Sequence, residues 1–156
     1  MPLEPDQYYM REALVLAEEA ARDGEVPVGA LVVHDSGTVV SRARNEVEES
    51  HDATAHAELL ALRRASQHFG RWRLSDCTLY VTLEPCPMCA GALRLARLKR
   101  IVFGATDPRM GAFGSLVELS QTAHLGPPIE TSSGILAEEC GAILKEFFQE
   151  RRKAKE

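Results

Sequence analysis

The chain has 156 residues and a mass of 17.2 kDa, which is the size of one domain built on one hydrophobic core. Hydrophobic residues make up 45% of the sequence and charged residues 26%, so the composition excludes a disordered chain. No uncharged apolar run approaches the roughly 18 residues that a membrane-spanning helix needs, so we expect no membrane partner. The formal net charge of −5 disfavours a nucleic-acid partner, because Lys and Arg drive phosphate binding.

Four cysteines stand at positions 77, 86, 89 and 140. The first residues carry neither the basic segment nor the apolar segment of a signal peptide. We therefore expect a cytoplasmic protein with reduced thiols. In such a protein a Cys-x-x-Cys pair is more typical of metal binding or redox chemistry than of a structural disulfide.

Helices and strands alternate in the predicted elements of the first half. Helical spacing of apolar residues predicts a helix over 6–22, which Asp23-Gly24 ends. Strands at Val28–Val33 and Thr38–Val40 form a hairpin through the turn residues between them. Residues 44–53 are polar and acidic, which predicts a loop.

The second half continues the alternation, without internal repeats or linkers. It contains a helix from about residue 55, a strand at 78–83, a helix at 86–96, a strand at 100–104, a Gly-rich loop at 106–114, a short helix near 115–120, a strand near 129–131 and a helix near 136–152. This order predicts an α/β fold with parallel strands after the opening hairpin and a sheet covered on both faces. We expect residues 1–156 to form a single domain.

Two short segments carry the metal chemistry. His56 begins one predicted helix, and Cys86 and Cys89 lie where a strand meets another. One nitrogen and two sulfurs are ligands that zinc takes, and three protein ligands leave a position open for water, as in catalytic zinc sites. The helix start also favours thiolates, because its unpaired N–H groups attract negative charge.

Glu58 is the candidate proton carrier beside these ligands. A carboxylate next to the metal can take a proton from the bound water and deliver it elsewhere. Residues two apart do not share a face of a regular helix. His56 and Glu58 therefore converge only if His56 sits at the very edge of its helix.

Other interpretations of these residues remain open. A His at a helix start is commonly a cap, and a lone Cys-x-x-Cys fits a thiol redox protein. A purely structural zinc site would need a fourth ligand, for which His51, Cys77 and Cys140 are candidates. Cys77 and Cys140 lie in apolar patterns, which predicts that they are core thiols.

His-x-Glu followed by Pro-Cys-x-x-Cys is the zinc deaminase signature. The sequence resembles the zinc-dependent cytidine/deoxycytidylate deaminase superfamily and, within it, the bacterial tRNA-specific adenosine deaminases. The resemblance spans nearly the whole chain. It rests on residues 25–30 (EVPVGA), 54–58 (TAHAE), 79–91 (LYVTLEPCPMCAG), 103–105 (FGA), the loop 107–115, Phe147-Phe148 and Arg151-Arg152.

The resemblance implies a three-layer α/β/α fold with a central five-stranded mixed sheet. It implies hydrolytic deamination of adenosine to inosine at the wobble position of a tRNA anticodon loop, which is the expected partner. One zinc per chain would be held by His56, Cys86 and Cys89, while Glu58 moves protons. The family usually forms homodimers.

The resemblance also assigns substrate contacts to a further set of residues. These are Asn45, Val28, Asp107, Arg109, Phe148 and Arg152. Four of them also have an ordinary structural interpretation: Asn45 and Asp107 in turns, Val28 in the core and Phe148 on the apolar face of the last helix.

Two differences from the family's sequence pattern and one alternative function bear on the identity of the substrate. Position 53 is Ala where the family usually has Pro, and the loop after Asn45 is acidic, which is less favourable for phosphate. A deaminase of a free base or nucleoside, such as guanine or cytosine, would use the same zinc site. Against this rival, basic residues cluster locally at 151–153, so an acidic total does not exclude RNA.

Overall fold

The computed structural model describes residues 4–155. The helices are α1 (Pro5–Arg22), α2 (Val47–Ser50), α3 (Ala57–Phe69), α4 (Pro87–Leu95) and α5 (Ala137–Ala154). The strands are β1 (Gly29–His34), β2 (Val39–Arg44), β3 (Cys77–Leu83), β4 (Arg100–Ala105) and β5 (Glu130–Ser132), with a 3₁₀ turn at Ala123–Leu125. Within the described part of the chain, no helix is long and apolar enough to cross a membrane.

The strands form one mixed sheet in the order β2-β1-β3-β4-β5. β1 is antiparallel to both neighbours, whereas β3, β4 and β5 run parallel. The predicted five-stranded mixed sheet is therefore confirmed, as are the parallel strands after the hairpin. The connection from β2 to β3 passes through α3, so the start of α3 lies near the edge where β3 ends.

Helices cover both faces of the sheet, which confirms the α/β/α layers. Alternate residues of β3 point to opposite faces, as the pleat of a strand requires. Leu79 lies in the core on the side of α3 and α4, and Tyr80 in the core on the side of α1 and α5. Cys140 of α5 packs so closely on Gly104 of β4 that a Cβ there would overlap its sulfur.

The short helix predicted near 115–120 is wrong. The segment folds back on itself instead, with a bridge between Phe113 and Glu118. The N–H groups of Phe113 and Ser115 donate to the carboxylate of Glu84, so they do not enter a helical ladder. The carboxylate of Glu84, about 30 residues earlier in the chain, therefore determines the backbone conformation of this segment.

The predicted loop at 44–53 is also partly wrong, because it contains the single helical turn α2. Two of its N–H groups, those of Glu48 and Glu49, donate to the carboxylate of Glu25. An acceptor at the start of a helical turn satisfies N–H groups that have no partner within the turn.

An ion pair fastens α1 to the sheet. Asp6 in the first turn of α1 accepts two hydrogen bonds from the guanidinium of Arg100, at 2.9 and 2.8 Å, and one from the hydroxyl of Tyr80, at 2.7 Å. The hydrogen bond from Arg100, supported by that from Tyr80, holds the pKa of Asp6 below its ordinary value of 3.8. The charged form of Asp6 therefore stabilises the folded state.

We expect Asp6→Asn to lower the free energy of unfolding by about 2 kcal/mol at pH 7, because it removes charge-assisted hydrogen bonds. The pKa is lowered by folding, so this contribution is complete above pH 3.8 and is lost as pH falls through the folded-state pKa. Urea unfolding across this pH range measures it.

Glu139→Gln is the matched control for Asp6→Asn. It breaks the ion pair between Glu139 and Arg11, whose side chains are 47% and 53% exposed respectively. The free energy of unfolding should therefore fall by less than about 0.5 kcal/mol. Equal losses in the two variants would contradict a special role for Asp6.

Candidate active site

His56 lies at the edge of α3, as the spacing to Glu58 requires. It is the N-cap residue, and its backbone is extended at φ −76° and ψ 147°. Its side chain is therefore free of the helical register that would separate it from Glu58. Glu58 follows in the first turn of α3 and is 4% exposed.

The two cysteines lie at the start of α4. Cys86 is the N-cap residue, Pro87 is the first helical residue, and Cys89 follows in the first turn. Pro fits this position because the N–H it lacks would have no partner there. The Nδ1 atom of His56 lies 3.7 Å from Sγ of Cys86 and 3.5 Å from Sγ of Cys89.

This donor set fits zinc. One candidate ligand atom from each of the three residues lies within 4.8 Å of the others. A tetrahedral zinc with bonds of about 2.0 Å to nitrogen and 2.3 Å to sulfur places neighbouring ligands about 3.5 Å apart. Of residues 4–155, only this group gathers three such ligands.

The structural-zinc interpretation therefore lacks its fourth ligand. His51, Cys77 and Cys140 all lie outside the group of three. Cys77 and Cys140 are fully buried among apolar residues, which confirms them as core thiols. Burial raises the pKa of each of these two thiols to about 12, so neither offers a thiolate at neutral pH.

The thiols at the site are prepared differently. A hydrogen bond from Cys89, with a second from His56, lowers the pKa of Cys86 to about 4. The same hydrogen bond to Cys86, followed by burial, raises the pKa of Cys89. The hydrogen bond to Cys86 also raises the pKa of His56. The three groups thus share protons that a bound cation would displace.

Glu58 is poised to exchange a proton near neutral pH. Its removal from water raises its pKa to about 7, which outweighs the opposing effect of His56. A carboxyl group with such a pKa can act as a base in one step and as an acid in the next. This pKa suits the role that the resemblance implies for Glu58.

A cavity of about 340 Å³ opens beside these groups, which is within the range of small-molecule sites. Its wall includes Val28, Asn45 and Asp107 together with His56 and Glu58. The side-chain oxygen of Asn45 accepts the N–H of Ala57 at 2.8 Å. Asn45 therefore lies in the cavity wall, and its structural bond joins it to the start of α3 and not to a local turn.

Arg109, Phe148 and Arg152 lie outside this cavity. Arg109 and Phe148 line a neighbouring hollow of about 450 Å³ beside α5, which shares Asp107 with the cavity. All three line an outer hollow of about 460 Å³, together with Arg151 and Lys155. Phe148 is 39% exposed, so it is not a core residue.

Other residues of the cavity wall have no role in the sequence-based prediction. They are Glu25, Val26, Val47, Glu48, Leu83, Glu84 and Met110. Glu25 and Glu84 both lie inside motifs that carry the resemblance, at residues 25–30 and 79–91. An acid within an apolar segment is the signal that indicates a buried, partnered carboxylate.

Residues 3–105 match the family described as the cytidine and deoxycytidylate deaminase zinc-binding region. The chain belongs to this family, and it is a zinc-dependent hydrolytic deaminase. A Bacillus subtilis (strain 168) protein named tRNA-specific adenosine deaminase is 48% identical over 96% of this chain and 92% of its own length. A Haemophilus influenzae protein of the same name is 46% identical over 96% and 87%.

Solved structures agree with this placement. One, from a study of A-to-I editing by tRNA deaminases at the wobble position of transfer RNA, is 42% identical with a TM-score of 0.84. The match covers 88% of this chain and 99% of that one. A guanine deaminase from Nitrosomonas europaea is 25% identical with a TM-score of 0.78, over 90% and 83%.

We expect Cys86→Ser to lose the metal, because a hydroxyl does not replace a thiolate of such low pKa as a zinc ligand. Elemental analysis of the purified, folded variant measures the zinc content. Cys140→Ala is the control, since it removes a core thiol and should retain zinc. A full zinc complement in Cys86→Ser would rule out Cys86 as a ligand.

Proposed function

We propose that the chain, as a single domain, deaminates adenosine to inosine at the wobble position of a tRNA anticodon loop. The observation that carries this proposal is the near-full-length similarity to proteins named tRNA-specific adenosine deaminase. The shape of the site supports it, because the cavity beside Glu58 lies near the outer hollow. We call the cationic and aromatic side chains of that hollow the rim: Arg109, Phe148, Arg151, Arg152 and Lys155.

In this proposal His56, Cys86 and Cys89 hold one zinc ion per chain. The ion supplies a Lewis acid that lowers the pKa of water. Glu58 would accept one proton from water as the water oxygen bonds to the ring carbon C6, and would pass that proton to the adjacent ring nitrogen. It would then accept the second proton from the same oxygen and pass it to the amino group, which leaves as ammonia when the C6–N bond breaks. Water and adenosine are consumed, and inosine and ammonia are formed. The raised pKa of Glu58 suits this residue both to accept a proton and to donate one.

The cavity wall would receive the base. Val28 supplies an apolar surface, and Asn45 and Asp107 supply polar groups around it. The base must leave its stack to enter, which an anticodon loop makes easy because its bases are unpaired. The amide nitrogen of Asn45 is the group we assign to the nucleotide, since its oxygen already accepts the N–H of Ala57.

The rim would hold the flanking nucleotides. Phe148 presents an exposed ring on which a base can stack, and Arg109 and Arg152 present charges to phosphates. These cations are local, so the net charge of −5 does not oppose them. Affinity that depends on few phosphate contacts should be modest and sensitive to salt.

We also propose a cytoplasmic homodimer. Met88 and Leu95 are seven residues apart on α4, which places them on one face, and they are 40% and 58% exposed. Leu116 and Val117 of the following loop are exposed as well. A second copy of the chain would cover such residues, and sedimentation measures the resulting mass.

Glu58→Gln should retain zinc and lose nearly all turnover, because it removes the proton carrier and leaves the three ligands in place. The measurement is inosine formation per zinc-loaded enzyme under saturating substrate. General acid–base catalysis contributes on the order of 10² to 10⁴ in rate, so a loss of at least 10² is expected. Near-normal turnover would exclude Glu58 as the proton carrier.

A comparison of substrates tests the proposed function itself. An anticodon stem-loop with adenosine at the wobble position should release ammonia, whereas free adenosine, cytidine and guanine should not. The likeness to a guanine deaminase makes guanine the informative competitor. Ammonia from guanine but not from the stem-loop would replace our proposal with a free-base deaminase.

A further inference from the structure

Two buried carboxylates in the cavity wall take no part in the proton transfers. Glu25 is 1% exposed and Glu84 is 2% exposed, and both line the cavity that holds Glu58. Neither forms an ion pair with a cation among residues 4–155. Burying an unpaired carboxylate is costly unless hydrogen bonds satisfy it, so their partners indicate their role.

Glu25 holds one wall of the cavity. Its two carboxylate oxygens accept the N–H groups of Glu48 at 3.0 Å and Glu49 at 2.8 Å. These residues belong to α2, which has four residues and is too short to be stable by itself. α2 in turn brings Val47 and Glu48 to the cavity. The position of this wall therefore depends on Glu25.

Glu84 holds a second wall of the cavity. Its carboxylate accepts the N–H groups of Asp107 and Phe113, both at 3.0 Å. It also accepts the N–H and the hydroxyl of Ser115. The loop packs directly on the carboxylate, because a Cβ on Gly111 would overlap it. This loop brings Asp107 and Met110 to the cavity.

We infer that Glu25 and Glu84 are positioning residues that hold α2 and the 107–115 loop at the separation that admits the substrate. They act on substrate binding and not on the chemical step, since the side-chain hydrogen bonds described above join them to α2 and to the 107–115 loop and not to a zinc ligand or Glu58. The inference goes beyond the proposed function and rests on it only for the choice of substrate.

Glu25→Gln and Glu84→Gln are the test variants. Each keeps the size of the side chain but replaces one acceptor oxygen by an NH₂ group. This group faces a backbone N–H, and it cannot accept a hydrogen bond from it. We expect KM to rise about tenfold or more, because each variant loses a charge-assisted hydrogen bond to a wall. The value of kcat per zinc-loaded enzyme should stay within about twofold.

Glu25→Asp and Glu84→Asp supply a rescue arm. They keep both acceptor oxygens on a shorter side chain, so they should recover part of the lost KM. Asp76→Asn is the matched control: it removes a carboxylate that pairs with Arg71 away from the cavity. It should lower the unfolding midpoint and leave KM unchanged.

Each outcome decides the inference. An unchanged KM with a lower yield of folded, zinc-loaded enzyme would show that the carboxylates are only structural and would overturn it. A loss of kcat with unchanged KM would also overturn it. If a Gln variant fails to fold, Ser115→Ala removes a single donor to Glu84 and should still raise KM by a smaller factor.

The failure of the inference is distinguishable from the failure of the proposed function. All KM values are measured with whichever substrate the unaltered enzyme deaminates, RNA or free base. An error in the substrate assignment therefore changes the assay and leaves the comparison of variants intact.

Discussion

The structure depends on one constraint: three ligand atoms from two helices must lie within 4.8 Å of one another. Both helices supply their ligands from their first residues, His56 as the N-cap of α3 and Cys86 as the N-cap of α4. N-termini can meet only at one edge of the sheet, and the connection through α3 that bypasses β1 brings them there. The converging helix N-termini favour negative charge at this point, where a hydrogen bond from Cys89 also lowers the pKa of Cys86.

Much of the fold follows from the sequence, because apolar residues repeat at the period of the element that buries them. The same holds for the metal site, since His56, Cys86 and Cys89 are recognisable by chemical type and spacing. The errors near 47–50 and 115–120 share a cause. In both segments the decisive partner, Glu25 or Glu84, lies more than 20 residues away, and no local pattern reports such a bond. The placement of Phe148 outside the inner cavity likewise depends on how α5 packs on the sheet.

Chemistry and selection are separated in this fold. The ligands and Glu58 occupy helix starts that pack on the sheet, where their positions are fixed by the core. The residues that we assign to the substrate lie on other segments: Val28 and Asn45 flank the hairpin of β1 and β2, Asp107 and Arg109 lie in the loop after β4, and Phe148 and Arg152 lie near the end of α5. A fold arranged in this way can change its substrate by altering those segments while the reacting groups stay in place. This explains how relatives named for adenosine and for guanine share one architecture.

The hollows beside the sheet differ in the sign of their charge. The inner cavity is lined by the acidic side chains of Glu25, Glu48, Glu58, Glu84 and Asp107, and Arg151 contributes a guanidinium to its wall. The outer hollow is lined by Arg109, Arg151, Arg152 and Lys155 and by no acid. The cations of the outer hollow attract a phosphate, whereas the acidic side chains of the inner cavity suit a neutral base with N–H donors. In the proposed complex, this arrangement favours a nucleotide whose phosphates lie at the outer hollow and whose base points toward the inner cavity.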